Sequence, residues 1–230
     1  MMNRLYCLLI LLFVVVVSGA CAQLDALLLP SEIPANLCMD ETAMFRDEFE
    51  LDTQPCGWIT FNSGSEVAEI TDSAFRITVS VPGQGAWTYA PPQFADMEMN
   101  LQTTQVIGAN DNAYGAICRY VDENNFYIFL ISGDGYYAIG KFESGNPNIQ
   151  YLTGTAPEHF IPSAAINTGT SLNRLMISCM GDRLTLGING EIVDEVRDTS
   201  HAVGRIGLIA TTFQTEQTEI EFDNIVVTVR

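Results

Sequence analysis

The chain has 230 residues, ten basic against 28 acidic, a formal net charge of −18, and a single lysine, Lys141. So acidic a chain repels nucleic acid and anionic lipid, which argues against nucleic acid as a partner. Its length suits one all-β domain with a real core once a leader is set aside.

The leader is the first element. One early positive charge, Arg4, precedes an apolar run over residues 5–17, about the length of a signal-peptide core and short of the ~20 residues that span a bilayer. The run ends in Val17-Ser18-Gly19-Ala20-Cys21, which resembles a bacterial lipobox. That resemblance implies cleavage after residue 20 and lipidation of Cys21. Ser18 departs from the usual apolar residue at its position, so an ordinary secretory cleavage is the alternative. Either outcome sends the protein out of the cytoplasm; lipidation anchors it in a cell envelope, where more than one acyl chain gives stable attachment. Losing Arg4 with the leader takes the net charge from −18 to −19.

Residues 21–43, with Pro30, Pro34 and the apolar Leu27-Leu28-Leu29, read as a tether. The domain, 44–230, starts where Phe45, Asp47 and Phe49 alternate with Arg46 and Glu48. Short strands are predicted at 57–61, 66–70, 74–81 and 86–90, separated by Asn, Ser, Asp, Gly and Pro. Met97, Met99 and Leu101 alternate with Glu98, Asn100 and Gln102, the pattern of a strand with one buried face. The most apolar stretch, 113–142, reads as three antiparallel strands joined by turns at 122–125 and 133–135. A triplet this apolar needs a second sheet to cover one face. In its second hairpin, a two-residue turn pairs Ile128 with Lys141 and a three-residue turn pairs it with Gly140.

A strand at 148–153 precedes a long irregular stretch, 154–170. Strands follow at 172–179, 183–188, 191–196, 203–210 and 219–230, with Asn189-Gly190 a type I′ turn signal. In the last strand Ile220 and Phe222 are out of phase with Ile225, Val227 and Val229, which predicts a β-bulge at Asp223-Asn224. About a dozen strands without a helix make a sandwich or a barrel.

Four cysteines remain beyond Cys7 and Cys21. Cys38 and Cys56 flank the first strand in polar surroundings, while Cys118 and Cys179 lie inside apolar strands. Context favours Cys38–Cys56 and Cys118–Cys179 as disulfides, with buried free thiols the alternative for the second pair.

Several motifs carry a family resemblance. They are Asn112 to Tyr120, Asp122 with Asn125-Phe126-Tyr127, Asn173-Arg174-Leu175, Gly181-Asp182-Arg183-Leu184, Asn189-Gly190, Gly204-Arg205-Ile206-Gly207-Leu208 and Phe222-Asp223-Asn224-Ile225. In this order they resemble the concanavalin A-like, laminin-G-like jelly-roll domains of bacterial secreted proteins, a group that includes family-16 glucanase-like and 3-keto-disaccharide-hydrolase-like sequences. The resemblance implies a two-sheet antiparallel jelly-roll sandwich. It is weak for activity, because lectins, binding modules and hydrolases share that scaffold.

A retaining glucanase needs two carboxyl groups ~5–5.5 Å apart. The family supplies them as Glu-x-Asp-x-x-Glu. The nearest stretch here, Glu219-Ile220-Glu221-Phe222-Asp223-Asn224, lacks the last glutamate. A non-catalytic glycan-binding module is therefore the first expectation. A saccharide hydrolase using Glu98 or Asp223 and a structural envelope protein are the alternatives. Sugar sites combine aromatic faces with fixed polar groups, so Trp87, Asn112, Arg119, Tyr127 and Tyr137 are the candidate ligand contacts. The opposing expectation is that the tyrosines pack the core and Arg119 pairs with an acid. No cofactor is expected beyond a structural Ca²⁺ at Asp47 and Asp223, for which a solvated acidic edge is the competing reading. His159 and His201 read as surface loop residues.

Overall fold

The computed structural model describes residues 38–39, 44–50, 56–213 and 217–229. The leader, Cys21 and all but two residues of the tether lie outside them. Sixteen strands are described. The first eight are β1 (Met44–Asp47), β2 (Phe61–Asn62), β3 (Glu66–Thr71), β4 (Ala74–Val79), β5 (Gly85–Phe94), β6 (Met97–Ile107), β7 (Ala113–Asp122) and β8 (Asn125–Ser132). The rest are β9 (Tyr136–Glu143), β10 (Asn146–Tyr151), β11 (Ile161–Pro162), β12 (Asn173–Met180), β13 (Arg183–Ile188), β14 (Glu191–Arg197), β15 (Gly204–Thr211) and β16 (Thr218–Val229).

They form two antiparallel sheets of a jelly-roll sandwich. The nine-stranded sheet runs β14-β13-β12-β6-β16-β4-β3-β2, with β1 also on β16; the seven-stranded sheet runs β10-β9-β8-β7-β15-β5, with β11 on β9. The expected strand at 57–61 is largely a loop, in which Ile59 N–H donates to Tyr89 O at 3.1 Å. The expected strand at 86–90 runs on through Pro91 and Pro92. It can do so because β5 is an edge strand with no ladder on its outer side, and because the ladder to β15 is interrupted between Tyr89↔Gly207 and Gln93↔Arg205, where both prolines lie.

Phe45, Phe75, Met97, Met99, Phe129 and Phe222 fill the space between the sheets. A second apolar cluster, Ala113, Ile117, Tyr120, Phe126, Ile128, Leu130 and Ile209, occupies the opposite face of the seven-stranded sheet and is also buried. Continuous apolar runs in β7 and β8, rather than alternation, follow from burial on both faces.

Both disulfides join as context favoured. Cys118–Cys179 ties β7 of one sheet to β12 of the other, and Cys38–Cys56 links the segment before β1 to the segment after it. The bulge in β16 lies between Asp223 and Val226, with Asn224 at φ 52°. The three-residue turn is the one formed, pairing Ile128 with Gly140. That register sends Tyr137 into the core and leaves Tyr136 39% exposed. Asn189 and Gly190 both have positive φ, 51° and 90°, as a type I′ turn requires.

Candidate functional site

Most of the expected ligand contacts are buried. Arg119 is 3% exposed. Between Cys118↔Tyr127 and Asp122↔Asn125, β7 carries two extra residues, and Arg119 sits in that bulge at φ 51°. The bulge turns its side chain inward, where the guanidinium donates to the carbonyls of Ala95 (3.1 Å), Gly181 (2.8 Å), His201 (2.9 Å) and Cys179 (3.4 Å) and to Asp96 Oδ1 (3.2 Å). Arg119 thus bolts three connections to the second sheet and cannot reach a ligand from there. Gly204 lies against the bulge: a Cβ on it would stand 2.4 Å from the Arg119 carbonyl carbon.

Tyr127 is fully buried; its hydroxyl donates to Asp198 Oδ1 at 2.7 Å, and burial pushes it up to about 12. Lys141 Nζ donates to Asp198 Oδ2 (2.9 Å) and Ser200 Oγ (2.6 Å). Burial alone would raise the Asp198 carboxyl, but hydrogen bonds from Tyr127, Lys141 and Ser200 outweigh it and hold the group far below its ordinary value. Tyr137 points into the core, donating to Asp194 Oδ2 at 3.2 Å. His201 is buried rather than on the surface, its Nε2 2.8 Å from Phe142 O.

The carboxylates of the acidic edge, where Ca²⁺ was one expectation, are engaged within the protein. Asp47 is buried and accepts from Phe49 N–H (2.9 Å) and Trp58 Nε1–H (3.1 Å). Asp223 accepts from Asn224 N–H and Nδ2–H. Burial raises both carboxyls, and the charge of Asp223 adds to the shift at Asp47. Among the described residues no group of three or more His, Cys, Asp or Glu side chains is placed to hold a metal ion.

Trp87 does line a pocket, of ≈ 350 Å³, at edge strand β5 with Phe61, Tyr89, Tyr120, Glu66 and Glu123. A larger one, ≈ 440 Å³, was not foreseen. Its walls are Tyr136, Tyr151, His159, Phe160 and Phe213, and its polar groups are Asp111, Ser132, Asp134 and Glu158, with Pro157 beside them.

Three loops assemble this pocket. In the turn between β8 and β9, Asp134 N–H donates to Asn110 O at 2.8 Å, which sets Asp111 beside Asp134. Ser132 Oγ donates to Asp134 Oδ1 and accepts from Tyr136 N–H. After β10, Thr155 and Glu158 exchange backbone hydrogen bonds (3.1 and 2.7 Å) around the cis Ala156-Pro157 bond. Gly154, at φ 64°, is needed for that reversal, since a Cβ there would lie 2.2 Å from Glu158 O. The next ring, His159, stacks on Tyr151 at 4.8 Å and 15°. After β15, Phe213 meets Phe160 edge-on at 6.2 Å.

Asn112, buried, is one step behind this wall. Its Oδ1 accepts from Phe213 N–H at 2.9 Å and its Nδ2 donates to Thr218 Oγ1. It positions a lining residue rather than touching the cavity. The signal that could have pointed here is the long irregular stretch 154–170, because loops of that length in a compact domain are commonly functional.

No family model matches the chain, and no curated protein matches it in sequence. Solved structures do. The carbohydrate-binding module CBM66 of Bacillus subtilis superposes with TM-score 0.55 at 18% identity, over 74% of this chain and 93% of that one. The chain has that sandwich fold. A Bacillus subtilis protein of unknown function with a galectin-like fold matches with TM-score 0.56 at 11% identity, over 81% of this chain and 96% of the other. The GH43 protein BlXynB of Bacillus licheniformis matches with TM-score 0.56 at 13% identity, over 83% of this chain but 40% of its own length. At these identities the likeness is one of architecture.

Proposed function

We propose that this protein is an exported β-sandwich, lipid-anchored through Cys21 and held off the membrane by residues 21–43, whose domain 44–230 binds a glycan without cleaving it. The observation that carries the reading is the larger pocket. Its exposed rings, Tyr136 and Phe213 (39% and 40% exposed), offer stacking faces beside the carboxylate acceptors Asp111, Asp134 and Glu158. The fold shared with a carbohydrate-binding module supports it, and the two disulfides suit an oxidising compartment outside the cytoplasm. Trp87, with Tyr89 and Tyr120, gives a second aromatic surface for a longer chain. Affinity electrophoresis of the soluble Cys21→Ser protein against a panel of polysaccharides tests the reading. Retardation that Tyr136→Ala removes is expected; no retardation by any polysaccharide would reject it.

One observation favours a hydrolase as the second reading. Three carboxylates line one pocket, which is the raw material for acid and base roles. Glu98 and Asp223, by contrast, belong to the nine-stranded sheet and line neither of these pockets. Sugar release that disappears in Asp134→Asn or Glu158→Gln would promote the hydrolase.

A further inference from the structure

We propose that the larger pocket selects its sugar by charge, taking a unit that bears a free amine in preference to its N-acetylated counterpart and rejecting uronic acids. The inference rests on the glycan-binding reading and adds the ligand class. Asp111, Asp134 and Glu158 contribute three carboxylates to the lining; among the described residues no Lys or Arg joins them, and the basic side chain in the wall is His159, whose Nδ1 lies 3.3 Å from Thr153 O. Several cations elsewhere in the domain already have partners. Lys141 is bound to Asp198 and Glu143, Arg76 to Glu219 and Glu221, Arg119 to Asp96, and Arg197 to Asp182. Arg205 lies over the Tyr89 ring at 5.2 Å, on the other pocket.

Among the described residues, the Asp111 and Glu158 side chains have no hydrogen-bond or ion-pair partner, so their oxygens are open to a ligand donor. Only Asp134 has one oxygen engaged, by Ser132. The walls add to the preference. The exposed rings Tyr136 and Phe213 attract an ammonium group through their π faces and give nothing to an acetyl group beyond ordinary contact. A net charge of −18 supplies a field of the same sign around the mouth. A carboxylated sugar meets repulsion from all of these sources, whereas an ammonium sugar can donate to a carboxylate and sit over a ring at once.

The test is calorimetric titration of the full chain carrying Cys21→Ser with three tetrasaccharide probes, at a pH where the amine is protonated. The probes are a glucosamine tetramer, an N-acetylglucosamine tetramer and a galacturonic acid tetramer; spermine is a cation without a sugar. The glucosamine tetramer is expected to bind at least about tenfold tighter than the acetylated one, and the uronate tetramer not at all. Asp134→Asn and Glu158→Gln should each shrink the preference, and the aromatic variant Tyr136→Ala should weaken both amino-sugar probes. Equal or tighter binding of the acetylated tetramer, with loss in Tyr136→Ala, overturns the charge inference and leaves glycan binding standing. Spermine binding as tightly as the glucosamine tetramer, insensitive to Tyr136→Ala, also overturns it, because diffuse attraction would then account for the result. Failure of every probe and of the wider polysaccharide panel removes both readings together.

Discussion

The two sheets bury their strands in different ways. On the nine-stranded sheet, β6 places Met97, Met99 and Leu101 in the core while Glu98, Asn100 and Gln102 stay at least partly open to solvent. On the seven-stranded sheet, β8 is buried from Phe126 to Ser132 on both faces. The first sheet therefore has one interior face and one wetted face lined with ion pairs, such as Arg76 with Glu219 and Glu221. The second has interior on both sides and meets solvent only at its margins, where loops and the edge strand β5 hold the two aromatic pockets. The glycan surface proposed above lies at the rim of the doubly buried sheet.

The largest loss is expected where the two sheets are uncoupled. Replacing Cys118 and Cys179 with alanine removes the staple across 61 residues of sequence and should cost about 4 kcal/mol in chemical denaturation. Arg119→Ala strips donors from four carbonyls and Asp96, so a loss of about 3 kcal/mol is expected in the same assay. Glycan affinity per folded molecule should not change, since Arg119 does not line either pocket; an affinity loss without a stability loss would restore it as a ligand contact.

Two carboxylates, Asp198 bonded to the seven-stranded sheet and Asp223 in the nine-stranded one, carry opposite pH signatures. Asp198 has a folded-state pKa held below its ordinary 3.8, so its contribution is full above that value and fades as pH falls below it. Asp198→Asn should cost about 2 kcal/mol at pH 7, and the gap from the parent in thermal melts should narrow at pH 3 and below. The raised Asp223 works the other way: its contribution is present below 3.8 and is lost as pH rises through its higher folded value. Asp223→Asn should therefore melt no lower than the parent at pH 7, with any advantage vanishing in acid. A parent that gains stability on acidification in the first case, or a neutral-pH loss in the second, would contradict the assignment.

Smaller in free energy is the rim itself. Tyr136→Ala and Phe213→Ala should each weaken glycan binding about tenfold while shifting stability by under about 0.5 kcal/mol. An unchanged affinity would move the binding surface to the Trp87 pocket.

Much of the architecture is written locally. Alternation marked β6, the phase slip between Phe222 and Ile225 marked a bulge, and Asn189-Gly190 marked a hairpin, because each depends on neighbours a few residues apart. The disulfide partners followed from the company each cysteine keeps. Residues of the candidate site were harder to read. Arg119 and Asn112 looked like ligand contacts from their motif, yet one is turned inward by a two-residue bulge and the other braces Phe213 from behind.

Local sequence by itself determined the all-β class, most strand positions, the turns and the cysteine pairs, since backbone preference and side-chain alternation act over short distances. Only the tertiary structure decided which side chains meet water. The larger pocket draws on Asp111, Asp134, Tyr151, Glu158 and Phe213, positions spread over a hundred residues and brought together by a turn bonded to Asn110 and a reversal at Gly154. No periodicity along the chain records an encounter of that kind, because it is fixed by how the loops close over the sheet's edge.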